Sequence, residues 1–311
     1  MRLVRTIPEL REILAEERRG DDPLQDGAGS VHPGDDPHSG QTAGAAVHPA
    51  GSIGLVPTMG YLHPGHLSLV EASRAQNRFT VMSIFVNPTQ FGPGEDFERY
   101  PRDLERDRAL AEAAGVDLLF HPEPAEIYPA GYRTYVTVEG LSERLCGRFR
   151  PGHFRGVATV VSKLFHLVQP RRAYFGQKDA QQVAVLRKMA RDLNFDLEIV
   201  VCPTVRESDG LALSSRNVYL SPAERQAATV LSRALFWAQD RVLEGEREAA
   251  VLLEGMRQML EAEPLCRLEY LEVVDAENLE PLARLRGDVL IALAAYFGRT
   301  RLIDNVVLEG V

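Results

Sequence analysis

Cysteine is scarce: only Cys146, Cys202 and Cys266 occur in 311 residues, far apart and without a C-x-x-C pair. That excludes a disulfide framework and leaves reduced thiols. No stretch approaches the roughly 18 consecutive apolar residues of a membrane span. Residues 1–20 carry Arg2 and Arg5 but continue as a charge-rich amphipathic segment, not the apolar centre of a signal peptide. A cytoplasmic chain with no membrane partner is the expectation. Basic excess is also missing, since the formal charge is −9, which gives a nucleic-acid backbone nothing to favour. Between residues 21 and 51 there is no Lys, Arg, Phe, Trp or Tyr, while five Asp and recurrent Gly and Pro are present. Such a stretch cannot bury a core and reads as a mobile acidic insertion. Its His32, His38 and His48 are loosely spaced and unaccompanied by Cys, so a solvated insertion is preferred to a metal site.

What is present is a substantial apolar fraction, 45%, enough to bury one large or two moderate cores. Thr6-Ile7-Pro8-Glu9 has the form of a capping box, followed by Leu10, Ile13 and Leu14 on one helical face; this first helix should end near Gly20. Beyond Gly51, apolar runs at Ile53 to Val56, Val81 to Val86, Asp117 to Phe120, Arg172 to Phe175 and Glu198 to Cys202 alternate with helical patterns. Those patterns cover His66 to Arg74, Leu104 to Ala114, Val157 to Val168 and Ala180 to Asn194. Repeated strand, helix, strand units imply a Rossmann-like, doubly wound parallel sheet in an α/β domain spanning residues 1–203. From residue 204 the pattern changes to helices at about Pro222 to Glu244 and Ala249 to Glu261, then strands near Leu268 to Val274, Val289 to Leu293 and Arg301 to Val307. A smaller C-terminal α+β domain, 204–311, is expected to act as a lid.

Doubly wound sheets bind ligands beyond the carboxyl ends of their strands. The segment Val56-Pro57-Thr58-Met59-Gly60-Tyr61-Leu62-His63-Pro64-Gly65-His66 lies at such a place, a strand end that turns into a helix. His63 and His66 fall on one side of the first helical turn, beside free backbone N–H groups and the positive end of the helix dipole, which attracts phosphate. A zinc pair would need further ligands, and a purely structural turn would not need the histidines. A second strand end, Tyr174-Phe175-Gly176-Gln177-Lys178-Asp179, offers Gly176 for close backbone approach and Lys178 as a compact cation; Asp179 could cap the next helix or face a ligand. A third segment, Asp209-Gly210-Leu211-Ala212-Leu213-Ser214-Ser215-Arg216-Asn217, supplies hydroxyls and a guanidinium fork suited to phosphate, though alone it could be a solvated turn. Asp103, Glu105 and Asp107 read as a solvated helix face that could also approach a metal through water, and no metal ligands are assigned. His153 reads equally as a pocket wall or a hydrogen-bonded structural residue.

The H-x-G-H segment resembles the HIGH-type motif of the nucleotidyltransferase superfamily, and the Ser-Ser-Arg segment resembles its KMSKS-type loop. Ser83 to Gly92, Tyr100-Pro101-Arg102, Gly176 to Asp179 with Gln182, and Leu213 to Arg216 occur in the order and spacing of the pantothenate synthetase family, over nearly the whole chain apart from the insertion. That resemblance implies condensation of pantoate with β-alanine through a pantoyl-adenylate, with ATP as a substrate, Mg2+ accompanying it, and a homodimer. It places ATP contacts at Met59, Gly60, Tyr61, Leu62, His63, Pro64, Gly65, His66, Gly176, Gln177, Lys178, Asp179, Val205, Leu213, Ser214, Ser215 and Arg216. His66 takes the place of the proton donor; His63, Lys178, Ser214, Ser215 and Arg216 join it in catalysis. Gln90 and Gln182 match the pantoate contacts, Gln90 also lying near β-alanine, with Pro57, Met59 and Phe85 available for geminal methyls. The chain departs from the pattern at Gln177, commonly Glu, and Leu213, frequently Met; neither change removes a charge needed for phosphate. A nucleotidyltransferase that stops after the first step is countered by the paired glutamines, and a tRNA-charging enzyme by the acidic, short chain. A non-catalytic nucleotide sensor stays open.

Overall fold

A computed structural model describes residues 1–19 and 52–311. The acidic stretch at 21–51, with its expected mobility and its three histidines, lies outside the described residues.

In chain order the elements are β1 (Arg2–Val4), α1 (Ile7–Arg19), β2 (Ile53–Thr58), α2 (Pro64–Gln76), β3 (Phe79–Ile84), α3 (Leu104–Ala113), β4 (Leu118–Phe120), α4 (Pro124–Ile127) and α5 (Cys146–Phe149). They continue as α6 (His153–Val168), β5 (Arg172–Gly176), α7 (Ala180–Asp192), β6 (Glu198–Cys202), α8 (Pro222–Ala227), α9 (Val230–Leu243), α10 (Ala249–Glu261), β7 (Cys266–Asp275), β8 (Val289–Phe297) and β9 (Thr300–Leu308). Six parallel strands form one sheet in the order β1-β4-β3-β2-β5-β6, and β7-β8-β9 form a second, antiparallel sheet. The expected doubly wound α/β sheet with a smaller α+β unit is therefore present. Two details differ. Strand β1 leaves no signal in the sequence because three residues are too few to show a period, and the expected 222–244 helix is divided into α8 and α9. Among the described residues no helix is long and apolar enough to cross a membrane.

Both faces of the large sheet are buried. Leu55, Val81, Leu118, Phe120, Ala173 and Phe175 point into one core, while their neighbours Val56, Met82, Ile84, Leu119, Tyr174 and Cys202 fill another. Strands covered on both sides need apolar residues at every position, which is why they read as continuous runs. One face of the second sheet, through Tyr270, Val274, Leu290, Ala292 and Ala294, joins the first of these cores. Its other face packs with α9 and α10 around Leu271, Val273, Leu235 and Leu252.

The sheet's switch point lies between β2, from which the chain winds one way through β3 and β4, and β5, from which it winds the other way. There the ladder is cut short: β2 pairs with β3 along its whole length but with β5 only at Gly54↔Arg172 and Leu55↔Ala173. The carbonyl of Ile53 accepts from Arg171 N at 2.8 Å on the β5 side, and that of Thr58 from Phe85 N at 3.0 Å on the β3 side. Backbone direction alternates along a strand, so residue 57 faces β5, and it is a proline with no N–H to offer. The next rung cannot form, and the two strand ends part into a crevice.

Helix α6 forms one wall. At Gly156 it approaches the Pro88 to Gln90 turn so closely that a Cβ would stand 2.3 Å from Thr89 O and 2.6 Å from Gln90 N. Gly156→Ala should therefore cost about 1–3 kcal/mol, as overpacking typically does. A thermal or urea melt checks this; a melt equal to that of the unsubstituted protein would show that the turn yields freely.

Candidate active site

The crevice at the parted ends of β2 and β5 is a cavity of about 220 Å³. Its first wall is the turn after β2. Gly60 and Tyr61 adopt φ of +85° and +51°, conformations that suit glycine and strain tyrosine. The strain is held by Asp107 of α3, whose carboxylate accepts from Tyr61 N at 2.6 Å and Leu62 N at 2.7 Å. Asp107 is only 1% exposed, so the expectation of a solvated acidic face is corrected there. Asp103 caps α3 through Arg106 N at 3.1 Å, and Glu105 is exposed.

Helix α2 starts earlier than the apolar pattern indicated because Pro64 occupies its first turn and His63 its N-cap. His66 Nδ1 lies 3.3 Å from His63 N, and a backbone N–H can only donate, so Nδ1 accepts. A neutral His66 must then carry its proton on Nε2. Burial, then His63, then Lys178 hold the pKa of His66 well below the ordinary imidazole value. The His63 ring packs against it, tilted by 36° at 4.0 Å between ring centroids, and its pKa is pushed down to about 4, by burial first and Lys178 second. Both rings are thus neutral at physiological pH. The pair offers an uncharged N–H donor from His66, while His63 Nδ1 is buried with no hydrogen-bond partner among the described residues.

The second wall is the β5–α7 junction. Lys178 Nζ lies 4.0 Å from the Asp179 carboxylate. Asp179 occupies the N-cap position of α7 but makes no side-chain capping bond, so the capping alternative is corrected. The third wall is the Asp209 to Asn217 segment. Arg216 grips Asp96 in a bidentate pair, Nε to Oδ2 at 2.8 Å and Nη2 to Oδ1 at 3.0 Å, leaving Nη1 without a protein bond among the described residues. Ser215 Oγ donates to Tyr61 O at 3.2 Å, joining this segment to the histidine turn. The neighbouring acid Glu95 grips Arg150 in the same way, at 2.8 and 2.6 Å. Burial is the largest single influence and raises the pKa of both acids, but the arginine hydrogen bonds and positive charge together with backbone hydrogen bonds exceed it, and the net shift is downward. Nothing in the spacing of Glu95 and Asp96 signalled these pairs.

At the cavity floor Gln90 is buried and preset. Its Oε1 accepts from Asn87 Nδ2 at 3.0 Å and its Nε2 faces Met59 Sδ at 3.0 Å. Asn87 is fixed in turn by Gly156 O at 3.1 Å and Tyr128 OH at 2.8 Å. His153 Nδ1 must donate to Gln90 O at 2.8 Å, so Nε2 accepts from Arg150 at 3.1 Å and the ring is neutral, burial driving its pKa down to about 3. Gln182, half-buried, has no hydrogen-bond partner among the described residues and lines the same cavity.

Of the expected site residues, Met59, His63, Gly65, His66, Gln90, Gly176, Lys178, Asp179, Gln182, Val205, Leu213, Ser214, Ser215 and Arg216 line this one space. Pro57 and Phe85 do so too, with Val157, Val160, Val161 and Leu164 of α6, which the sequence marked only as a helical pattern. Gly60, Tyr61, Leu62, Pro64 and Gln177 stand outside the lining. Leu62 is wholly buried, and Gln177 turns away to bond Asn305 at 3.2 Å.

The crevice, with its neutral imidazoles and nearby cations, lies at the switch point of a doubly wound α/β sheet, the place where enzymes of that class bind their ligands. More narrowly, the chain belongs to the pantoate–β-alanine ligase family, whose model matches residues 38–307. A pantothenate synthetase of Moorella thermoacetica is 64% identical over 83% of this chain and 91% of its own length, and one of Acetivibrio thermocellus 62% identical over 83% and 92%. The crystal structure of the Thermus thermophilus pantothenate synthetase superposes with a TM-score of 0.84 at 50% identity, covering 98% of this chain and 99% of that one. The Francisella tularensis pantoate–β-alanine ligase, crystallised with β,γ ATP and β-alanine, superposes at 0.72 with 30% identity, over 99% and 97%.

Because His63 and His153 are held neutral, an unfolded chain binds more protons than the folded one below about pH 6.5, the free imidazole value. Their contribution is complete above that pH and is lost as pH falls toward about 4 for His63 and about 3 for His153. Stability should drop by about 1.4 kcal/mol per pH unit for each histidine in that window. Urea melts at pH 7, 6 and 5 measure it, and His153→Gln should flatten the slope by one proton. An unchanged slope in that variant would place His153 in its charged form.

Proposed function

We propose that the chain condenses pantoate with β-alanine in two steps, first attaching the pantoate carboxylate to AMP and then passing the acyl group to the amine. A carboxylate is a poor acylating group because its leaving oxygen is too basic, and AMP supplies a better one. The single observation that carries the reading is the neutral His66, its Nδ1 committed to the backbone and its Nε2–H left to the cavity that Lys178 also lines.

In the first step the pantoate carboxylate attacks the α-phosphorus and the bond to pyrophosphate breaks. Lys178, the free Nη1 of Arg216, and the Ser214 and Ser215 hydroxyls take up the charge that moves to the leaving group. His66, held neutral, donates a hydrogen bond from Nε2–H to the charge forming at that end, and His63, packed against it, excludes water. Gly176 and Val205 let the nucleotide approach the backbone closely. In the second step the neutral amine of β-alanine attacks the acyl carbonyl and AMP departs. No nucleophilic Ser or Cys takes part, because ATP supplies activation and the protein supplies position.

Gln90 and Gln182 hold the hydroxyl and carboxylate of pantoate, and Gln90 also borders β-alanine; Pro57, Met59, Phe85 and the α6 valines receive the geminal methyls. Mg2+ enters with ATP, as the family resemblance implies. Residues 204–311 serve as the lid unit. Because one face of its sheet is packed into the first core, closure falls to the Asp209 to Asn217 segment. A cytoplasmic homodimer completes the proposal on the strength of the family.

Given ATP, pantoate and β-alanine together, the protein should release AMP and pyrophosphate in equal amounts with pantothenate. Release of ADP and phosphate would instead indicate an acyl phosphate. His66→Ala and Lys178→Ala should each slow AMP formation at least about tenfold, the loss of roughly 1.4 kcal/mol of transition-state interaction. Rates equal to those of the unsubstituted enzyme would remove these residues from the phosphate site.

A further inference from the structure

Two adjacent side chains of β9, Asp304 and Asn305, are 2% and 4% exposed and belong to the second sheet, yet their partners lie on two different walls of the cavity. Asn305 Nδ2 donates to Gln177 O at 3.0 Å and to Lys178 O at 2.8 Å, and its Oδ1 accepts from Gln177 Nε2 at 3.2 Å. The two carbonyls belong to the short 3-10 turn Gln177–Asp179 that leads into α7, so the amide ties that turn to β9. One amide NH2 has two hydrogens, so it satisfies both at once.

Asp304 reaches the other wall. Its two oxygens bind Arg206 Nη1 at 2.6 Å and Nη2 at 2.9 Å, and Oδ1 also accepts from Asn305 N at 2.8 Å. Arg206 donates further to Gly210 O at 3.1 Å and lies over the Phe236 ring, 5.0 Å from its centroid. Through its backbone Arg206 bridges Ala212, and Val205 O accepts from Leu213 N at 3.0 Å. These contacts form the stem that presents Ser214, Ser215 and Arg216.

We propose that Asp304 and Asn305 are positioning residues for ATP activation, fixing the Lys178 turn and the Ser214 to Arg216 segment relative to each other from a single point on β9. The inference rests on the ATP-binding role given above to those two segments. It makes the second sheet part of the phosphate site's construction as well as its cover. Neither residue lines the cavity.

Asn305 is the sharper test, because its removal leaves no buried charge unpaired. The probe is a non-hydrolysable ATP analogue, adenylyl imidodiphosphate, titrated by calorimetry against four proteins: unsubstituted, Asn305→Ala, Lys178→Ala and the double variant. Asn305→Ala should weaken binding at least about tenfold, whereas adding it to Lys178→Ala should change affinity less than about twofold, since its effect runs through Lys178. Equal losses on both backgrounds, or no loss on either, would overturn the inference. If Asn305→Ala does not melt cooperatively, Asn305→Ser, which keeps a donor in less volume, takes its place in the cycle. The binding readout is independent of which acid is activated, so a failure of the pantoate reading would leave this coupling standing, and the reverse also holds.

Discussion

The parting of β2 from β5 is the constraint on which the rest of the site depends. A parallel ladder continues only while each strand supplies an N–H to its neighbour, and Pro57 supplies none on the β5 side. The sheet therefore opens just where its winding reverses, and the segments that follow the two strands diverge around a cavity they share. Pro57 belongs to both the backbone event that opens the crevice and the lining of the result. The histidine turn and the Lys178 turn face each other because the strands beneath them were forced apart.

The electrostatics of this crevice are balanced before any substrate arrives. Two cations, Arg150 and Arg216, are each held by an acid from one loop, Glu95 and Asp96, while three imidazoles are kept neutral by burial. Among the described residues, Lys178 has only the distant carboxylate of Asp179. Fixed dipoles and paired charges of this kind need little reorganisation when charge moves during reaction, which is how a preorganised site lowers a barrier. Neutral imidazoles also avoid repelling the lysine beside them, so His66 can serve as a hydrogen-bond donor without adding a fourth positive charge to a confined space.

Much of this was legible in the sequence because the signals were local. Alternating strand and helix patterns specify the parallel sheet, the capping box at Thr6 and Glu9 forms as read, and glycine at position 60 marks a turn that needs positive φ. What was not legible depends on residues distant in sequence. Asp107 looked like one acid among several on a helix surface, yet it is buried against the backbone of the histidine turn; Asp96 finds Arg216 across 120 positions. Asp179 sits where a capping residue belongs, but the carboxylate does not cap. The proline in β2 was visible as a residue, and its consequence required knowing which neighbour position 57 faces. Periodicity reports burial, and it cannot report which buried polar groups meet.

The central claim is that this cavity activates a carboxylic acid by transferring AMP to it. Exchange of labelled pyrophosphate into ATP, measured with pantoate and without β-alanine, isolates that half-reaction. The account predicts exchange that depends on pantoate and is lost when it is omitted. A folded protein that shows no exchange under those conditions would contradict the adenylate mechanism.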